Sequence, residues 1–455
     1  MYSWRPASTG SAAIVVLLFY SVNASALIFE PGVSGGMKYS DNAALTANNK
    51  EDEWIFTSSV RGSVKETGGP LTVDAASSLS FVNYRNNTFS DQYYFNLDMA
   101  SDWTLLKNRL NLNMRDSFVQ RKVDSIEAVT PDNLQDTNVF SIGPEVIFPI
   151  TSLQRLSLKP EYRNFYYEET DAENQQYAFT ANWNYQLFSQ AKIGVSGNAT
   201  KVDFDDEKTN PNYTSRNASV TASFRQARSD YSINLGVTNV DRDRFGNQEG
   251  STGSFNWLLN LTRRSSVRTF IASELTDTGI NTLNALTAPG RGDVNDVQVS
   301  GDVFRNNTAR AEYIRTDSTL NSNLWVELRN LDYKETLEDR EIISTGISLR
   351  YQVSALFSTG FNGTYIRTRQ TDIKRRDNEY AVSGSIEYRL SRKLRTLFNI
   401  RLQNKDSTSR GAEYKEFSTF ISLVYGIGGA YPSRIGVRNP VSSRQAESQS
   451  RFVSR

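Results

Sequence analysis

Strict alternation of apolar and polar residues recurs along almost the whole chain, and it constrains the fold more than any other feature. The stretch from Gln175 to Phe188, QQYAFTANWNYQLF, places Tyr, Phe, Ala, Trp, Tyr and Leu at every second position. Successive side chains of a β-strand point to opposite faces, so a period of two indicates a strand with one apolar face. A single strand of this kind also fits a soluble antiparallel sandwich. The rest of the chain has to separate the two interpretations.

The same pattern returns in many segments, and no helical period of any length follows Leu27. The face opposite the apolar one carries Ser, Asn, Thr, Gly, Arg and Glu. A soluble barrel of this size needs a dry interior, which these residues do not supply. The sequence therefore predicts that the apolar face is the outside of a barrel and contacts lipid. Examples of the alternation are residues 110–114, 231–237, 255–261, 343–351 and 380–390.

The connections between predicted strands alternate in length. Short links occur around Ser189, Arg228, Ser265, Val353 and Ser391. Longer polar segments separate them, among them DFDDEKTNPNYTS, VDRDRFGNQEGST, KETLEDREI, RQTDIKRRDNE and NKDSTSRGAE. Short periplasmic turns and longer external loops are typical of bacterial outer-membrane barrels.

The predicted fold class is all-β: a transmembrane antiparallel up-and-down β-barrel spanning residues 27–426. We expect about 20 strands, within a range of 18 to 22, with both ends in the periplasm. The segment from Asp277 to Asn307 breaks the alternation of links and is interpreted as a long external or inward-folded loop. The strands are expected to begin near Phe29, Glu53, Leu71, Gln92, Arg109, Asn138, Gln154, Gln175, Gln190, Arg216, Tyr231, Phe255, Val267, Thr308, Leu320, Ile342, Ala355, Glu379, Arg392 and Phe417.

Aromatic residues crowd two predicted strand ends, where a barrel places its interfacial girdles. We expect a girdle position for each of these side chains: Tyr93, Tyr94, Phe95, Phe165, Tyr166 and Tyr167.

The two termini depart from the strand pattern. Residues 1–26 have a basic start at Arg5, an apolar core over 11–20 and a small-residue site at 24–26, which predicts a secretory signal peptide. Residues 427–455 form a basic tail, either a disordered periplasmic segment or one that contacts an acidic polymer or a periplasmic partner. Its candidate residues are Arg434, Arg438, Arg444, Arg451 and Arg455.

Composition argues against several kinds of function. The chain has no Cys and no His, which removes thiolate metal sites, disulfides and the commonest general base. Its 51 basic and 50 acidic residues leave no global charge that points to nucleic acid. The acidic loops lack the full spacing of a calcium loop, and neither a nucleophile elbow nor a P-loop is present. We expect a non-enzymatic protein without cofactor or metal, although a hydrolase built on paired carboxylates stays open.

Charged residues recur on the predicted inner face. Barrels of 16 to 18 strands already leave an aqueous channel, so these charges either line a water-filled path or pair with one another across it. The lumen candidates are Arg61, Asp98, Arg115, Glu145, Lys159, Glu161, Arg163, Arg225, Arg310, Glu312, Glu327, Arg329, Arg350, Glu387, Arg389 and Arg401.

Two stretches carry a family resemblance. FEPGVSGGMKYSDNAALT, with Tyr39, Asp41 and Asn42, and the segment Val303 to Glu335 resemble outer-membrane β-barrels associated with PEP-CTERM/exosortase and exopolysaccharide systems. The resemblance implies a channel that moves or secures extracellular polysaccharide. Its implied partners are outer-membrane lipid and lipopolysaccharide, the polysaccharide cargo and periplasmic export proteins. The alternatives are a general or solute-selective diffusion porin and a structural or adhesive barrel with a plugged lumen.

Overall fold

The protein forms one closed antiparallel sheet of 20 strands in a computed structural model, which describes residues 27–67, 69–244, 246–287 and 294–426. Each strand pairs with its neighbours in sequence, and β1 pairs with β20 from Gly32↔Gly426 to Ser40↔Ser418, which closes the ring. The expected all-β barrel of about 20 strands is confirmed. The strands are β1 Ile28–Ser40, β2 Glu53–Glu66, β3 Leu71–Tyr84, β4 Gln92–Leu106, β5 Leu110–Lys122, β6 Leu134–Pro149, β7 Gln154–Tyr167, β8 Asn174–Phe188, β9 Ala191–Phe204, β10 Tyr213–Arg225, β11 Ser229–Arg242, β12 Gly246–Asn260, β13 Ser265–Asp277, β14 Val303–Arg315, β15 Leu320–Tyr333, β16 Arg340–Gln352, β17 Phe357–Gln370, β18 Arg375–Arg389, β19 Leu394–Ser407 and β20 Tyr414–Gly426.

The two ends of the barrel differ in their links. At the end that carries Ile28 and Gly426, here the terminal end, neighbouring strands are joined by short links such as 189–190 and 261–264. At the opposite end, here the loop end, the links include 41–52, 123–133 and 278–302. The predicted alternation of short and long links therefore describes the barrel well.

Two of the predicted long loops are wrong. Residues 240–252 were expected to form a loop, but β11 continues to Arg242 and β12 begins at Gly246. Gly246 has a φ of 72°, a conformation that glycine adopts without steric cost, at the point where β12 begins. Likewise, residues 369–379 contribute only the link 371–374, because β17 and β18 extend past the expected strand ends.

The alternation of side chains places apolar groups on the outside. On β8, Tyr177 and Phe179 are exposed, whereas Gln176 and Ala178, which alternate with them, are buried. On β11, Leu235 is 64% exposed and its neighbour Asn234 donates hydrogen bonds to Ser219 and Thr221 on the inner face of β10. A closed ring leaves no unpaired strand edge, so the outer surface is apolar side chains over a fully paired backbone.

Part of the interior at the loop end is packed by a short helix. Helix α1, Thr278–Thr287, follows β13 directly. Its Ile280 and Leu283 pack against the buried side chains of Phe165 and Tyr167. The expected girdle position is therefore wrong for Phe165 and Tyr167, because the parity that turns Tyr166 outward turns both neighbours inward. It is wrong for Tyr94 for the same reason: Tyr93 and Phe95 face outward, and Tyr94 packs inside against buried residues of β2 and β3. No helix of the described residues has the length and apolarity needed to cross a membrane.

Candidate functional site

The described parts of the segment between β13 and β14 fold into the lumen. We call its described parts, residues 278–287 and 294–302, the inward segment. On one side it is held by β5: the fully buried Arg121 donates to Thr282 Oγ1 at 2.5 Å and to the Val297 carbonyl at 2.9 Å. The next amide, of Lys122, donates to Asn295 Oδ1 at 3.1 Å. The prediction of a non-strand segment from Asp277 to Asn307 holds for the described residues 278–287 and 294–302, but residues 303–307 belong to β14.

The same segment reaches the opposite wall. Arg329 on β15 donates to Asp296 Oδ2 at 3.2 Å. Val297 packs with the buried Phe304, Leu331 and Ile342 of β14, β15 and β16. Because β5 and β15 lie ten strands apart in a ring of 20, they are on opposite sides. The inward segment therefore crosses the lumen.

Both ends of the inward segment are fixed by buried polar contacts. Asp277 Oδ1 accepts the amide of Ile280 at 2.8 Å, which satisfies one free donor at the start of helix α1. Its other oxygen accepts the hydroxyl of Tyr213 at 2.5 Å. At the far end, Arg242 of β11 donates to Asp302 at 3.2 Å and also pairs with Glu335. The segment is thus tied to β10 and β11 as well.

A second loop, 123–133, also turns inward. Ser125 Oγ donates to Gln298 Oε1 of the inward segment at 2.7 Å and accepts a hydrogen bond from Arg340 on β16. Arg375 on β18 donates to Glu127 at 2.7 Å. Lys405 on β19 donates to the carbonyl oxygen of Ile126. Together the loop and the inward segment form a constriction, which joins β5 to β15, β16, β18 and β19.

A row of paired charges leads from the wall to this constriction. Arg310 Nη1 lies 3.0 Å from Glu327 Oε2, and Arg329 Nη2 lies 3.1 Å from Glu327 Oε1. Glu312 lies 3.8 Å from Arg310 and 3.7 Å from Arg268. The guanidinium of Arg310 also covers the ring of Trp325 at 4.6 Å. Removing one partner from such a buried set leaves the other charge uncompensated.

The remaining lumen candidates fall into paired and exposed groups. On β7, Glu161 lies 2.8 Å from Lys159 and 2.5 Å from Arg163. Arg225 lies 3.1 Å from Asp230 at the terminal end. The structure places the other candidates on the same inner parity, with Arg115, Arg389 and Arg401 exposed and Arg61, Asp98, Glu145, Arg350 and Glu387 partly buried. Their role in solute passage stays a prediction.

Sequence reasoning missed several groups of the constriction, namely Arg121, Arg242, Arg340, Arg375 and Lys405. The sequence does show that these side chains lie on the inner face of their strands. Arg121, for example, lies six residues after Arg115 and so on the same face of β5. What the sequence lacked was the partner of each side chain, which comes from a loop on a distant strand. The basic tail candidates, Arg434, Arg438, Arg444, Arg451 and Arg455, and the predicted signal peptide lie outside the described residues.

Acidic side chains crowd the loop end outside the strands. Burial raises the pKa of Glu173, and the nearby carboxylates of Asp205 and Asp171 raise it further. Burial also raises the pKa of Asp339, whose carboxylate accepts the amide of Tyr333 at 2.7 Å. The neighbouring carboxylates that raise the pKa of Glu173 show that acidic groups are clustered at the loop end, where an approaching solute meets them first.

No protein-family model matches the chain, and no curated protein matches it. Among solved structures, it is similar to OccK2 (OpdF) of Pseudomonas aeruginosa, with a TM-score of 0.39 and 9% identity over 88% of this chain and 97% of that chain. It is also similar to the siderophore receptor PirA of Pseudomonas aeruginosa, with a TM-score of 0.44 and 10% identity over 88% of this chain and 80% of that chain. The FrpB iron transporter of Neisseria meningitidis is similar too, with a TM-score of 0.43 and 8% identity over 88% of this chain and 82% of that chain. Because these TM-scores are low, we draw no conclusion from the similarities, and the assignment of the fold is based on the strand pairing of this chain.

Proposed function

We propose that the protein is a non-enzymatic outer-membrane channel for passive passage of solutes, narrowed by the inward segment and loop 123–133. The apolar outer face and the closed ring are the properties that lipid requires of a β-structure. A ring of 20 strands exceeds the 16 to 18 at which porins hold an aqueous channel. In this proposal the terminal end, with its short links, faces the periplasm.

One observation carries the proposal: a polar segment crosses the lumen from β5 to β15. A structural barrel has no need to bring buried arginines from opposite walls onto one segment. In a channel, the same contacts set the width and charge of the path at a fixed height. The exopolysaccharide cargo implied by the sequence resemblance remains a finer prediction, and it rests on that resemblance alone.

The test is single-channel conductance of the purified protein in planar bilayers. Because Asp277 and Val303 are register partners, an Asn-Gly turn is suited to replace residues 278–302 and close the hairpin between β13 and β14. We expect the unchanged protein to conduct and the shortened variant to conduct several-fold more, since the lumen loses a segment that crosses it.

The matched control deletes residues 410–412 from the link 408–413, whose described hydrogen bonds run to Arg376, to Ser407 and within the link. It should leave conductance unchanged. Silence in all three proteins, each folded by heat-modifiable gel mobility, would contradict the channel and favour a plugged structural barrel.

A further inference from the structure

Arginines gather on the inner wall near the terminal end, beside the seam between β1 and β20. We call Arg61, Arg350, Arg389 and Arg395 the arginine patch. They stand on β2, β16, β18 and β19, close to the links of that end. Two of the four, Arg350 and Arg395, lie near one shared carboxylate, that of Glu387 on β18, so the ion pairs seen among the described residues leave the patch with more positive than negative charge.

Arg61 lies over a glycine. It pairs in register with Gly32 of β1, and a Cβ at Gly32 would lie 3.1 Å from Arg61 Nε. The side chain of Arg61 therefore lies across Gly32 of β1, on the neighbouring strand. Its Nε and Nη2 are buried and have no hydrogen-bond partner among the described residues. The closest acidic neighbour on β1, Glu30, accepts a hydrogen bond from Ser63 instead, at 3.5 Å.

The other arginines share one carboxylate. Arg350 Nη2 lies 2.8 Å from Glu387 Oε2, and Arg395 Nη1 lies 3.7 Å from Glu387 Oε1. Arg389 is exposed and stands directly opposite Arg395 in the register of β18 and β19. Arg395 also acts electrostatically on Arg61. Arg389 and Arg395 are like charges at facing positions of neighbouring strands, which is unfavourable unless an anion joins them.

This arrangement differs from the constriction, where each arginine of the row meets a carboxylate. Guanidinium groups bind carboxylate and phosphate oxygens through paired N–H donors. Arg61 supplies a guanidinium that has no ion-pair partner among the described residues, and Arg389 supplies a guanidinium open to the lumen. We infer that the arginine patch binds the oxyanion group, carboxylate or phosphate, of a solute that passes the terminal end. The passage rests on the proposed channel function, whereas the binding does not require conductance.

Binding is measured by isothermal titration calorimetry on the full-length protein in detergent at low ionic strength, with inorganic phosphate and with citrate as probes. Arg61→Gln and Arg389→Gln remove donors from the patch. We expect each change to weaken binding roughly tenfold and the double change to weaken it more, as for loss of a charge-assisted hydrogen bond. Arg61→Lys keeps the positive charge but lacks the paired N–H donors of a guanidinium, so its affinity should lie between those of Arg61→Gln and the unchanged protein. The stronger of the two probes identifies the oxyanion.

Lys192→Gln is the control, because Lys192 is exposed at the same end on the inner parity of β9 and the change removes one positive charge. Its affinity should equal that of the unchanged protein. An equal loss of affinity in the patch variants and in Lys192→Gln would show that only net charge matters and would overturn the site. Absence of binding to both probes would overturn it too. A protein that conducts without binding refutes the patch alone, and one that binds without conducting refutes the channel alone.

Discussion

Gly346 on β16 makes room for an aromatic ring on the inner wall. It pairs with Trp325 of β15, and a Cβ at Gly346 would lie 2.6 Å from Nε1 and Cε2 of that indole. The indole in turn carries the guanidinium of Arg310 on its face. A missing side chain on one strand thus positions an arginine of the charge row two strands away.

Gly346→Ala is therefore expected to displace Trp325 and lower the free energy of unfolding by about 1–3 kcal/mol, as overpacking does. Urea unfolding in lipid vesicles, followed by tryptophan fluorescence, measures this. Gly384→Ala is the matched control, because a Cβ there meets no atom within 4 Å. Equal stability of the two variants would show that the indole has another place to go.

At the scale of the strand, the alternating faces are expected to respond differently to the same charge. Leu235→Arg on the outer face of β11 places a guanidinium in lipid, at a cost of about 2–4 kcal/mol near the bilayer centre. Asn256→Arg on the inner face of β12 adds the same group where water has access. The fraction folded into bilayers across a urea series measures both. A larger loss for Asn256→Arg would place the apolar face inside and contradict the barrel.

The strands were predictable from the sequence because lipid on the outside requires an apolar residue at every second position. Predicted and observed strand starts coincide at Glu53, Leu71, Gln92, Gln154 and Leu320. They diverge where strands continue past the apolar band at the loop end. There both faces of a strand are polar, so the apolar–polar alternation disappears although the backbone hydrogen bonds continue. In β12, for example, the strand begins nine residues before the expected Phe255.

The constriction was predictable only in outline. The break in parity after Asp277 marked an unusual segment, and external and inward-folded loops both fitted it. Its direction depends on contacts such as that between Arg329 and Asp296, which join residues far apart along the chain. Local patterns carry no information about such pairs. The same limit applies to the arginine patch, since Arg61 and Arg395 approach each other only once β1 and β20 close the ring.

For the whole molecule, closure of the ring and the crossing of the lumen belong together. The pairing of β1 with β20 makes the wall continuous, and the inward segment then joins walls ten strands apart. The acidic loop end, the paired charges of the constriction and the arginine patch follow one another along the lumen. A solute would meet negative charge, then a narrow polar passage, then positive charge.

The central claim, that the inward segment crosses the lumen in the membrane, is tested most directly by cross-linking in isolated outer membranes. The chain has no native Cys, so introduced pairs react alone. Lys122→Cys with Asn295→Cys joins β5 to the inward segment, whose hydrogen bond at 3.1 Å brings these residues near the Cα separation that a disulfide spans.

We expect this pair to form an oxidation-dependent cross-link that shifts gel mobility, whereas each single cysteine gives none. Gly35→Cys with Leu423→Cys, register partners across β1 and β20, serves as the folded-barrel control. A cross-link at the seam without one between residues 122 and 295 would contradict the crossing segment and, with it, the proposed constriction.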